Sequence, residues 1–279
     1  MKTLNRVLSA AAVIALCIVV NACGSAQAEP VEANVVTVTA TDFAFAAPAE
    51  IPAGLTTFRL VNSGQTLHHV QIVKLDAGKT AADFFAAMQA GGPPPAWAHE
   101  VGGPNAPDPM GGEANATLEM TPGDYLLLCF VDMPDRVPHV MKGMVKPLKV
   151  LPADGPAPAR PAADVVMTLD DYRFTLSKPL KAGAQTIRVE NAARQPHEVE
   201  LIRLAPGKTA QDLMAWMENM QGPPPASAIG GVAGIHSGGW NSFTADLAPG
   251  DYMLICFIPD AGDGKPHFMH GMMQTIHVE

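Results

Sequence analysis

The chain repeats itself, and the length of the repeat constrains its fold more than any other feature. From the first copy to the second, the sequence number rises by 129 between His68 and His197 and by 127 between Cys129 and Cys256. It rises by 128 between His139 and His267 and again between Met144 and Met272. The triple proline at 93–95 recurs at 223–225, an offset of 130. Such a spacing is too long for a solenoid unit and fits a duplicated domain. At 279 residues, each copy has enough chain to bury a core of its own.

Inside each copy the hydrophobic pattern is that of strands. Val36 to Thr41, Thr57 to Val61 and Val70 to Leu75 alternate or run apolar, with Gly, Pro and Asn between them. Val165 to Leu169, Thr186 to Glu190 and Val199 to Leu204 are their counterparts. Thr-Pro-Gly-Asp-Tyr125 and Ala-Pro-Gly-Asp-Tyr252 are tight turns that feed strands ending in cysteine. One helix per copy is expected, over Thr80 to Ala90 and Thr209 to Met220, each stopped by the proline run. The predicted class is all-β: two tandem Greek-key β-sandwiches, each with one inserted short helix. Expected boundaries are 35–151 and 163–279, joined by a Pro-rich linker at 152–162.

The N-terminus reads as an export signal. Lys2 and Arg6 precede an apolar run from Val7 to Val20, too short to span a bilayer as a mature helix. Val20-Asn21-Ala22-Cys23 follows it and is similar to a bacterial lipobox, with Cys23 as the lipidated residue, so that residues 1–23 form the signal and 24–34 a tether. Ala26-Gln27-Ala28 is the rival cleavage site. These features imply a lipid-anchored protein on the periplasmic side of a bacterial membrane, or else a soluble exported one. A formal net charge of −9 gives no footprint for nucleic acid.

Of four cysteines, Cys17 and Cys23 fall in the signal, leaving Cys129 and Cys256 at equivalent positions. A disulfide scaffold would usually pair cysteines within a domain, although a Cys129–Cys256 bridge is the alternative. One thiolate, two imidazoles and a thioether per copy suit copper in an electron-transfer site. The candidate metal ligands are His68, Cys129, His139 and Met144 in the first copy and His197, Cys256, His267 and Met272 in the second.

These residues resemble the cupredoxin family of small blue copper proteins, of which plastocyanin is a member. The resemblance rests on Asn62…His68 and Asn191…His197 followed by apolar strand residues, on cysteine after a Gly-x-Tyr turn, and on His-x4-Met with glycine just before methionine. It implies a type 1-like copper site in each copy and a redox partner protein. Nine residues (130–138) and ten (257–266) separate cysteine from the second histidine, where the family usually has a few. Those inserts are turn-rich and are expected to bulge outward as hairpin-like excursions.

Other residues are assigned lesser roles. His69 is expected as an exposed neighbour of His68, Met141 and Met269 as loop packing or spare soft ligands, and His270 as surface. His99 and His236 fall in Gly-rich segments after the prolines, and His277 aligns with Lys149. A laccase-like or nitrite reductase-like enzyme needs further histidines, commonly in His-x-His pairs, and the chain has none. The chain is therefore expected not to be an enzyme, with electron transfer as its leading function. A His/Met copper-handover protein and a metal-free module are the alternatives.

Overall fold

The computed structural model describes residues 33–90, 94–154 and 159–279. The expected signal with Cys23, residues 24–32 of the tether and residues 155–158 of the linker lie outside that range. Val31–Glu279 forms one compact unit. Its first half runs β1 (Asn34–Thr41), β2 (Ala44–Ala46), β3 (Glu50–Pro52), β4 (Gly54–Asn62), β5 (Gln71–Leu75), α1 (Ala81–Ala90), β6 (Ala98–Gly102), β7 (Gly112–Met120), β8 (Gly123–Leu128) and β9 (Val145–Leu151). Its second half runs β10 (Val165–Asp170), β11 (Arg173–Leu176), β12 (Gly183–Asn191), β13 (His197–Leu204), α2 (Ala210–Asn219), β14 (Ala226–Ile235), β15 (Trp240–Leu247), β16 (Gly250–Ile255) and β17 (Met273–Val278). The class is all-β, as expected, with a sandwich and one short α-helix in each half.

Each half has its own core. Val38, Phe58, Leu60, Ile72, Leu118, Tyr125, Leu127 and Cys129 pack together in the first. Val165, Met167, Val189, Leu201, Tyr252, Leu254 and Cys256 do so in the second. The cysteine strands are buried on both faces, which explains why they read as continuous apolar runs rather than alternations. Tyr125, Leu127 and Cys129 point into the sandwich. Leu126 and Leu128 point outward and pack with Phe84 of α1. In β16, Met253 and Ile255 likewise face Leu213 of α2. Both helices open where expected: Thr80 accepts from the Asp83 N–H, and Thr209 and Asp212 form a reciprocal capping box.

The halves are fused through both sheets. One sheet has eight strands in the order β11-β10-β12-β15-β7-β4-β1-β2, and the other nine, β17-β16-β13-β14-β6-β5-β8-β9-β3. The joins are β15 to β7 at Ser242 and Thr117, and β14 to β6 at Ile235 and Val101. Edge strands that would otherwise expose unpaired backbone groups cover each other.

The Gly-rich segments around His99 and His236 are therefore not loops but β6 and β14, at the centre of the nine-stranded sheet. Glycine is required there by close backbone approach. A Cβ at Gly103 would sit 2.1 Å from the Val70 carbonyl oxygen, and one at Gly231 would sit 2.2 Å from that of Val199. Both glycines also have positive φ, 123° and 138°.

Candidate metal centre

Tyr125 and Tyr252 anchor the strands that deliver the two cysteines. Each hydroxyl donates back to a carbonyl four residues upstream, Thr121 and Ala248, at 2.8 Å. With side-chain period two, the residue four positions after each tyrosine returns to the same face, which brings Cys129 and Cys256 to the end of the core. The inserts then leave and re-enter as hairpin-like excursions, closed by the bridges Asp132 to Pro138 and Pro259 to Pro266. His139 and His267 follow at once and open short 3₁₀ turns, His139–Lys142 and His267–His270. Val140 donates to the Cys129 carbonyl at 2.7 Å and Phe268 to that of Cys256 at 3.0 Å, stitching each turn to its cysteine. Gly143 and Gly271 end the turns at φ 100° and 101°. Their left-handed conformation folds Met144 and Met272 back, so that each N–H donates to the His139 or His267 carbonyl at 3.0 Å.

The predicted cysteine and histidine side chains converge in both halves. The Cys129 Sγ lies 3.3 Å from His139 Nδ1 and 4.0 Å from His68 Nδ1, and the two Nδ1 atoms are 3.0 Å apart. The Cys256 Sγ lies 3.4 Å from His267 Nδ1 and 3.9 Å from His197 Nδ1, with the imidazole centroids 4.4 Å apart. Two ligands each about 2.1 Å from one centre stand roughly 3.5 Å apart, so these separations match donors aimed at a shared point. All six side chains are buried, and Met144 and Met272 pack in the same apolar clusters as their cysteines. The long inserts do not disperse the site.

Outer partners fix which nitrogen faces inward. His68 Nε2 meets Asp42 Oδ1 at 3.1 Å, and His197 Nε2 meets Asp171 Oδ1 at 3.1 Å. A carboxylate there holds the proton on Nε2 and leaves the Nδ1 lone pair free. Neither aspartate was singled out in the sequence, yet Asp42 and Asp171 share the offset that separates His68 from His197. Behind the second histidine the halves differ. His139 Nε2 faces the Met133 thioether at 2.9 Å, whereas His267 Nε2 has no hydrogen-bond partner among the described residues and lies 3.8 Å from Asp260 Oδ2.

Burial sets the protonation of the donors. Desolvation pushes the Cys129 thiol up to about 12 and raises the Cys256 thiol as well, where buried Glu198 adds to the effect. Desolvation lowers His139 and His267 to about 4, with repulsion from the neighbouring histidine as the next cause. At neutral pH each site presents neutral imidazoles and a protonated thiol. A cation bound there releases that thiol proton. The set of sulfur and imidazole donors, with no carboxylate converging on it, fits a soft metal better than Mg²⁺ or Ca²⁺, and thioether beside thiolate favours copper.

Several expectations are corrected. His69 is buried, not exposed: its Nε2 accepts from the Phe130 N–H at 2.8 Å, and its Nδ1 bonds to Asn105 Oδ1 at 3.3 Å. Glu198 does the same work in the second half, accepting from the Phe257 N–H at 2.9 Å and from Asn105 Nδ2 at 3.3 Å. Each thus pins the residue after a cysteine, and Asn105 joins them across the two halves. Met141 and Met269 do not pack in their loops but stand exposed. Cys129 and Cys256 are both free thiols, so the alternative bridge is not formed. His99, His270 and His277 pair with the surface aspartates Asp76, Asp263 and Asp251.

No family model matches the chain, and no curated protein matches it. Among solved structures it is similar to auracyanin B, at 21% identity over 43% of this chain and 93% of that one, with a TM-score of 0.29. Dithionite-reduced auracyanin from the photosynthetic bacterium Roseiflexus castenholzii gives 23% identity, 43% and 98% coverage and a TM-score of 0.28. Copper nitrite reductase from Nitrosomonas europaea gives 14% identity, 88% and 93% coverage and a TM-score of 0.27. The chain's all-β class rests on its own strands. The expectation that the chain is not an enzyme is withdrawn, since structures similar over 88% of its length include nitrite reductases and multicopper oxidases.

Proposed function

We propose that the chain binds one copper ion in each half and moves electrons through it. The observation that carries this reading is the paired convergence of Cys129 with His68 and His139, and of Cys256 with His197 and His267, at 3.3–4.0 Å from sulfur to Nδ1. Copper held there would supply a one-electron couple. The residues then have defined tasks. The cysteines would bind as thiolates after losing a proton, the histidines would bind through Nδ1, and Met144 and Met272 would be the weak thioether donors. Asp42 and Asp171 hold the Nε2 protons of His68 and His197. Packed strands keep the donors in place, so little rearranges when charge changes. The handover alternative, in which His and Met act without the thiolate, is disfavoured because both sulfurs contact both histidines.

The optical spectrum after addition of Cu(II) tests the reading. An intense thiolate-to-copper band is expected, with two copper ions per chain. Cys129→Ser and Cys256→Ser should each remove one ion and about half the band, and a protein that takes up no copper would overturn the reading. We further propose that the protein is exported and lipid-anchored through Cys23, and that a redox protein exchanges electrons with it. The apolar run before Cys23 supports export, and membrane fractionation checks the anchor.

A further inference from the structure

We infer that the two centres are unequal, the second being held at the lower reduction potential by Asp260, a positioning residue behind His267. This rests on the copper reading above and deepens it.

Much around the centres is matched and cancels. Asp42 and Asp171 take the same place behind His68 and His197. Asp135 with Lys142 near the first centre, and Asp263 with Lys265 near the second, are ion pairs. In the first insert the Asp132 carboxylate lies in the field of Arg136, and what remains unmatched is the group directly behind each second histidine. The first insert presents an uncharged thioether, Met133 Sδ, to His139 Nε2 at 2.9 Å, and the second presents a carboxylate, Asp260 Oδ2, 3.8 Å from His267 Nε2.

Asp260 is built to remain an anion. Its Oδ2 accepts from the Tyr172 hydroxyl at 2.6 Å and from Gln195 Nε2 at 3.0 Å, while its Oδ1 accepts from the Gly262 and Asp263 N–H groups at 2.8 and 3.2 Å. The His267 side chain is fully buried, and its Nε2 has no other partner among the described residues, so the negative charge acts on the ring with little solvent between. A carboxylate behind a ligating imidazole makes the ring a stronger donor and stabilises the more highly charged oxidation state. A thioether has no charge to do so. Electrons shared by the two centres therefore settle on the first.

Single-centre proteins test this. Cys129→Ser leaves only the second centre and Cys256→Ser only the first, and each is followed by redox titration of its visible band. The second centre is expected to favour Cu(II) at least tenfold more than the first, which is about 59 mV for one electron. Asp260→Asn, made in Cys129→Ser, should raise that potential by a similar amount. The reverse change, Met133→Asp in Cys256→Ser, should lower the first. Equal potentials, or a band that persists in Asp260→Asn with its potential unmoved, would overturn the assignment while leaving copper binding intact. Absence of the band from both single-centre proteins would overturn the copper reading itself, and the assignment with it.

Discussion

At the residue scale, the unit of the design is a histidine gripped from both sides. His68 and His197 each face a cysteine through Nδ1 and an aspartate through Nε2. Removing the aspartate frees the ring to rotate and to change tautomer. Asp42→Ala and Asp171→Ala are therefore expected to weaken copper at their own centre by about 10- to 100-fold, read by competition with a chelator, with the other centre unaffected. The eight candidate ligands were legible because each recurs at nearly the same offset in the second copy. Asp42 and Asp171 hold that offset too and could have been found by the same test. Met133 and Asp260 could not. They stand at the same offset of 127 as the cysteines but are unlike residues, so the repeat does not mark them, and only the folded hairpins reveal which side chain lies behind the histidine. His69 was misread for a related reason. A polar residue paired with Glu198 looks like surface, and nothing local discloses that both accept from the backbone just past a cysteine.

At the element scale, periodicity carried most strands and both helices, whereas β6 and β14 were hidden by glycine. A run such as Gly102-Gly103 or Gly230-Gly231 signals a turn when only neighbours in sequence are considered. Here the glycines lie where a facing strand passes too close for a side chain, at irregular register shifts opposite Ile72–Val73 and Leu201–Ile202. Alanine at Gly103 would have to push back the Val70 carbonyl, 2.1 Å from its Cβ, and would also take up an unfavourable positive φ. Gly103→Ala and Gly231→Ala are each expected to destabilise by about 3 kcal/mol, measured by urea unfolding. Gly143 and Gly271 carry positive φ in open surroundings. Alanine there strains only the turn that returns methionine to the site, so its effect should fall on the metal centre more than on the fold.

At the scale of the whole molecule, duplication predicted two sandwiches but not that they would share both sheets, because sequence periodicity is blind to pairing between copies. The join buries a set of acids that a surface would leave in water. Glu100 Oε2 and Glu200 Oε1 are buried there without a hydrogen-bond partner among the described residues. Burial pushes Glu100 up to about 7 and Glu198 up to about 7, and raises Glu200 well above its ordinary value. A carboxyl raised in the folded state binds more protons folded than unfolded between its ordinary 4.5 and about 7. Its stabilising contribution is complete below 4.5 and is lost as pH climbs through 7. The buried histidines act in the opposite sense. His69, lowered to about 4 by burial, costs stability as pH falls from its ordinary 6.5 towards 4, and His139 and His267 behave alike. Between pH 4.5 and 6.5 the two sets oppose each other, and only above that range do the acids act alone. Glu100→Gln keeps the shape and removes the charge. Relative to the parent, it is expected to change the unfolding free energy little near pH 4.5 and to stabilise on the order of 2 kcal/mol at about pH 8. Urea unfolding of both copper-free proteins at the two pH values measures this. A gain that is the same at both would mean that packing, and not the buried charge, distinguishes glutamine from glutamate at the join.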